Sequence, residues 1–186
     1  MTRITLVLAG VVLGTPLSAR TQQASSAQAS SSSQGASTAS VAAMRAQWRQ
    51  TIDYVRKAGE EFSEADYAYR PVATVRTVGQ LIGHVAGAQF SICASALGEP
   101  AREEDAVEKA ATTKAALLKA LDESTAYCER AYAQTDAAAA ASTQLFGSSA
   151  PRINALALNA VHDGEHYGNL VTYMRMKGMV PPSSRR

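Results

Sequence analysis

Four stretches of this sequence carry apolar residues at steps of three and four, the spacing that lines one face of a helix. The first covers residues 41–62, with Met44, Trp48, Ile52, Val55, Gly59 and Phe62 in register and Ser40 as its expected N-cap. The second opens on Thr77 with Gln80 three residues later, the capping-box pattern. It continues through Val78, Leu81, Ile82, Val85, Gln89 and Ile92, and stops at Gly98 with Pro100 beyond. The third covers residues 112–134, with Leu117, Leu118, Leu121, Cys128 and Tyr132 facing inward. The fourth starts at Pro151, a favoured first helical residue. It runs to Lys177, where Gly178 and Pro181-Pro182 end it. Ile153, Leu156, Val161, Leu170, Val171 and Met174 are its expected apolar contacts. Apolar residues make up 46% of the chain. Much of that share is alanine and aromatics are few, which suits helices better than a β-sandwich. The expectation is an all-α fold, a single four-helix bundle.

The segments between the helices read as connections. Residues 63–76 lack a clean period, and Pro71 biases Arg70 away from helix. Arg102 to Lys109 is charged and reads as a solvated connection with some helical turn in it. Asp136 to Ala150 is rich in Ala and Ser, anchored only by Leu145-Phe146-Gly147, and reads as a loop over one bundle end.

Two cysteines constrain the topology. Cys93 falls near the end of the second predicted helix and Cys128 near the end of the third. An even count permits a disulfide in an exported protein, with two buried thiols or a soft-metal site as alternatives. If the two bond, their Cα atoms must come within about 7 Å, so the second and third helices must run parallel. The ~14 residues between those helices can span ~45 Å extended, enough to return along helices of ~30 Å. The bundle would then run up-down-down-up.

Export is expected from the N-terminus. Arg3, the apolar run Ile4 to Leu13 and the small-residue site Leu17-Ser18-Ala19 read as a signal peptide over residues 1–19, with an uncleaved anchor as the alternative. Residues 20–40 are Ser, Ala, Gln and Thr with little else, too polar and small to bury a core. They read as a disordered linker before a domain at residues 41–184. The expected location is periplasmic or secreted. The net charge is +2 with scattered positives, which gives no case for nucleic acid.

The chain has three histidines. His162 and His166 are four apart, so on a helix their Cβ atoms share a face roughly 5–6 Å apart. His84 sits at the edge of the apolar face of the second helix. Three neutral imidazoles can hold a divalent ion and leave a fourth position open. The alternative is three incidental polar or core residues. Asp163 or Glu165 is placed to accept a ligand's second N–H. Gly79, Gly83 and Gly87 form a stripe at i, i+4, i+8, each costing roughly 0.5–1 kcal/mol relative to Ala. Such a stripe calls for a close backbone approach, by another helix or by a ligand. Gly164 and Gly168 on the fourth helix are one candidate partner. His162-Asp163-Gly164-Glu165-His166 also matches the inverted zincin pattern, with Glu165 as general base. That pattern needs a third ligand downstream, and the 20 residues after His166 contain no His, Asp or Glu. Glu165 is therefore either a base by adjacency or a solvated helix-face carboxylate.

Thr77-Val78-Gly79-Gln80-Leu81-Ile82-Gly83-His84-Val85-Ala86 and the stretch from His162 through Tyr173-Met174-Arg175 to Pro181-Pro182-Ser183 resemble the DinB/YfiT-like family of metal-dependent enzymes. Asp66-Tyr67 through Arg70-Pro71 resembles that family's connector between the first two helices. The resemblance implies an up-down-down-up four-helix bundle and a divalent metal ion, commonly zinc or nickel. Carried over by position, the ligands are His84, His162 and His166. It also implies a homodimer in many members and thiol S-transfer in some. Export argues against small cytosolic thiols and leaves water at a metal ion as a nucleophile. The expectation is an exported metal-dependent hydrolase or transferase acting on an unknown small molecule. The alternative is a non-catalytic metal-binding or stress-associated bundle.

Overall fold

In the computed structural model, which describes residues 39–185, the first apolar stripe forms helix α1, Ala39–Glu61. The expected signal segment and nearly all of the expected linker lie outside the described residues. Ser40 is not the N-cap of α1. Its backbone N–H and that of Val41 donate instead to the Asp136 carboxylate, at 3.1 and 2.9 Å. A carboxylate at a helix N-terminus meets both unpaired N–H groups and the positive end of the dipole. A short 3₁₀ turn, Ala65–Ala68, follows.

Helix α2, Val78–Leu97, starts on the expected capping box. The Thr77 hydroxyl accepts from the Gln80 N–H at 3.1 Å, and the Gln80 side chain accepts from the Thr77 N–H at 3.0 Å. The helix ends at Gly98, whose φ of 72° is the left-handed stop that glycine adopts without strain. A short helix α3, Ala106–Ala110, interrupts the connection to α4, Lys114–Ala131, which Thr113 caps. A single turn α5, Asp136–Ala139, precedes the last long helix α6, Arg152–Met176. Among the described residues no helix is long and apolar enough to cross a membrane.

The Ala- and Ser-rich segment is not a plain loop. Ser142–Leu145 (β1) pairs antiparallel with Ser148–Pro151 (β2), Leu145 opposite Ser148. Phe146 and Gly147 make the two-residue turn, both with positive φ, as the tight turns that match strand twist require. Ala and Ser give no alternating pattern, so the strands leave little trace in the sequence. The hairpin does sit at a bundle end, where the Thr143 hydroxyl donates to the Ser95 carbonyl at 2.7 Å.

The stripes meet in one core. Trp48, Phe62, Ile82, Ile92, Leu121, Leu156, Leu170 and Met174 are fully buried. Val161, expected as a contact, is 67% exposed. The Trp48 ring stacks on Tyr132, centroids 4.4 Å apart, and its indole N–H points at both the Gln89 side-chain oxygen and an Asp163 carboxylate oxygen, each at 3.1 Å. Gln89 in turn donates to the Ser124 hydroxyl at 3.0 Å. Contact partners rise together along α2 and α4, from Gly79 beside Leu117 to Gln89 beside Ser124. Cys93 and Cys128 continue the series as a disulfide, Cα atoms 5.4 Å apart, and neither is a free thiol or a metal ligand.

The glycine stripe has a different partner from the one expected. A Cβ on Gly164 or Gly168 would meet nothing within 4 Å. On α2, a Cβ at Gly83 would lie 2.9 Å from the Glu108 Cα, and one at Gly87 only 1.8 Å from the Glu104 carbonyl oxygen. The backbone that approaches α2 is therefore the connection leading to α4. It lies in the groove the missing side chains leave open. The charged stretch expected to be solvated is held against the helix that carries His84.

Candidate metal centre

His84 comes from the middle of α2, and His162 and His166 from successive turns of α6. The helical spacing of the pair puts both rings on the face turned towards α2. The His162 Nε2 atom lies 3.1 Å from that of His84 and 3.1 Å from that of His166. All three ligand atoms fall within 4.8 Å of one another. Nitrogens roughly 2.0–2.1 Å from a tetrahedral ion stand about 3.3 Å apart, so this is the separation of ligands around one ion.

Hydrogen bonding among the rings explains the cluster less well. A neutral imidazole has one N–H. If the Nε2 atoms carried the protons, the Nδ1 atoms would be left as lone pairs facing acceptors. His162 Nδ1 is 3.7 Å from an Asp163 carboxylate oxygen, and His84 Nδ1 is 3.9 Å from a Glu108 carboxylate oxygen. His166 Nδ1 is 3.3 Å from the Asn169 side-chain amide, whose oxygen can be turned to accept. Those neighbours favour protons on Nδ1. Three Nε2 lone pairs then converge, and a cation satisfies them.

The electrostatics agree. His84 and His166 are each 7% exposed. Burial holds their pKa values down to about 4, aided by Arg76 at His84 and by His162 at His166. Both rings are neutral at neutral pH, the state that ligates. Asp163 is fully buried, and burial pushes its carboxyl up to about 6 against the opposing pull of His162 and Trp48. A cavity of about 600 Å³ opens beside the cluster, with Arg70, Arg76, Glu108, Glu165, His166 and Tyr173 in its wall. Arg76 is tied to Glu108 at 3.1 Å, and the Tyr173 hydroxyl donates to the Arg76 carbonyl at 2.9 Å.

Residues 38–170 match the sequence profile of the DinB superfamily. The chain belongs to the DinB superfamily. Its fold is similar to that of a DinB-like protein from Bacillus cereus ATCC 10987, at 16% identity over 75% of this chain and 93% of that one, with a TM-score of 0.65. It is also similar to a protein assigned to the DinB family from Exiguobacterium sibiricum 255-15, at 22% identity over 76% of this chain and 94% of that one, with a TM-score of 0.62. A third likeness is to a mycothiol-dependent maleylpyruvate isomerase, at 16% identity and a TM-score of 0.60. It covers 70% of this chain and 60% of the isomerase. These identities carry the fold alone. No curated protein matches the sequence.

In this DinB-superfamily chain the structure brings together all three histidines singled out in the sequence. Asp163, one of the two acidic candidates, stands behind His162 with a carboxylate oxygen 3.7 Å from its Nδ1 atom. Glu165, the other, is exposed on the cavity wall. Glu104 and Glu108 escaped the sequence reading. Their signal was the glycine stripe, which demanded a close partner without saying which segment supplied it.

Proposed function

We propose that this chain is an exported metal-dependent enzyme, a hydrolase or transferase, whose divalent ion is held by His84, His162 and His166. The observation that carries the reading is the convergence of three Nε2 atoms whose Nδ1 atoms all face polar groups. Neutral imidazoles suit zinc or nickel. Such an ion supplies Lewis-acid chemistry, polarising a substrate oxygen and making water acidic near neutral pH. Around it, Asn169 meets the His166 Nδ1 atom at 3.3 Å, and the Asp163 and Glu108 carboxylates face the Nδ1 atoms of His162 and His84 at 3.7 and 3.9 Å. The cavity seats a small molecule, with Arg70 and Arg76 facing any anionic group it carries. Glu165 on the wall is the nearest exposed carboxylate of α6 for taking up a proton.

The order of contacts along the helices supports an up-down-down-up bundle: partners rise together between α2 and α4 and between α1 and α6, and run oppositely between α2 and α6. The disulfide supports export, since such bridges persist in oxidising compartments. The mycothiol dependence of the isomerase relative makes thiol transfer the assay to set beside ester and amide hydrolysis.

Metal analysis of protein purified without a histidine tag tests the reading. About one divalent ion per chain is expected, falling to background in His84→Ala and in His162→Ala while the helical circular dichroism is kept. Full metal content in either variant, or no metal in the wild type after loading with Zn²⁺ or Ni²⁺, overturns it.

A further inference from the structure

The connection between α2 and α4 grips the His84 ring from two sides. Glu108 faces its Nδ1 atom, and four residues earlier Glu104 faces its Nε2 atom, with a carboxylate oxygen 3.6 Å away. Nε2 is the atom turned towards the other two histidines. The Glu104 carboxylate thus lies on the side of the His84 ring that faces the other histidines.

The neighbouring carboxylates are already engaged. Glu108 is paired with Arg76. Asp163 is buried and accepts from Trp48. Among the described residues Glu104 forms no ion pair with a Lys or Arg, and its side chain is 35% exposed. It is a carboxylate without a Lys or Arg partner beside the His84 ring. A divalent ion held by imidazoles alone would carry its full charge into a site whose ligands are largely buried, and a carboxylate offsets that charge.

The backbone of Glu104 is placed by a specific feature of the sequence. Its carbonyl oxygen occupies the space a Cβ at Gly87 would need, at 1.8 Å. Gly87 lies close to one helical turn beyond His84, so the glycine that admits the connection also sets Glu104 over the histidine.

We propose that Glu104 is a fourth protein ligand of the ion held by His84, His162 and His166, delivered by the connection seated on Gly83 and Gly87. The proposal rests on the metal reading above. The Glu104 oxygen stands outside the 4.8 Å set formed by the histidine nitrogens, so ligation takes a rotation of this partly exposed side chain and leaves the fold unchanged. A carboxylate reached by rotation is also one that an incoming substrate can displace.

Titration of the metal-free full chain with Co²⁺, followed by visible absorption, and with Zn²⁺ against a chromophoric chelator tests this. Glu104→Gln is expected to weaken Zn²⁺ binding at least about ten-fold, the lower bound for losing even an outer partner of a metal ligand, and to shift the Co²⁺ bands. Gly87→Ala should produce the same weakening, because it displaces the Glu104 backbone while leaving the side chain intact. Wild-type affinity and an unchanged Co²⁺ spectrum in Glu104→Gln overturn the proposal alone, whatever Gly87→Ala does. Absence of Co²⁺ and Zn²⁺ binding in the wild type, or binding unaffected by His84→Ala, removes the histidine reading and this proposal with it.

Discussion

Trp48→Ala is expected to destabilise the domain by about 3–5 kcal/mol, the range for deleting a buried aromatic ring. Its side chain is fully buried, it stacks on Tyr132, and its N–H serves Gln89 and Asp163 together. Truncation leaves a cavity between α1, α4 and α6 and also strips a donor from a buried carboxylate. Urea unfolding at neutral pH measures the loss, and a thermal midpoint lowered by roughly 6–20 °C should accompany it. Trp48→Phe separates the two contributions. It keeps most of the ring and loses the N–H, so about 1–3 kcal/mol is expected, the cost of leaving a buried polar group unpaired. A loss below about 1 kcal/mol for the alanine variant would contradict this packing of Trp48.

Opening the Cys93–Cys128 bridge is the second large effect. The two residues are 35 apart in sequence, and the bond closes a loop containing the connection, α3 and most of α4. Loop-closure entropy for that length comes to about 4 kcal/mol, inside the 2–5 kcal/mol usual for native bridges. The Cys93→Ala/Cys128→Ala double variant should therefore melt roughly 8–16 °C below the wild type. Both cysteines are fully buried. Reductant should act slowly on the folded protein and quickly once urea opens it. Two alkylatable thiols in the denatured, unreduced chain would show that no bridge forms, and a double variant with unchanged stability would show that the bridge constrains nothing.

What was legible in the sequence is what depends on near neighbours. The expected helices at 41–62, 112–134 and 151–177 correspond to α1 at Ala39–Glu61, α4 at Lys114–Ala131 and α6 at Arg152–Met176. The capping box at Thr77 and the left-handed stop at Gly98 sit where the residues place them. Each is decided by side-chain period or by one residue's backbone freedom. The hairpin at 142–151 was missed because its pairing is made by main chain, and its Ser and Ala side chains carry no alternation. Ser40 lost the capping role to Asp136, almost a hundred residues away in the chain.

The same division runs through the site. The spacing of His162 and His166 by itself determined that two imidazoles share a helical face, because four residues make about one turn. That His84 completes the trio, with its nitrogen 3.1 Å from that of His162, was decided by the packing of α2 on α6 across 78 residues of chain. The glycine stripe determined that something must lie close to α2. Only the tertiary structure decided that it is the connection carrying Glu104 and Glu108. The groove left by absent side chains accepts any backbone that reaches it, and the path of the chain between α2 and α4 selects which one does.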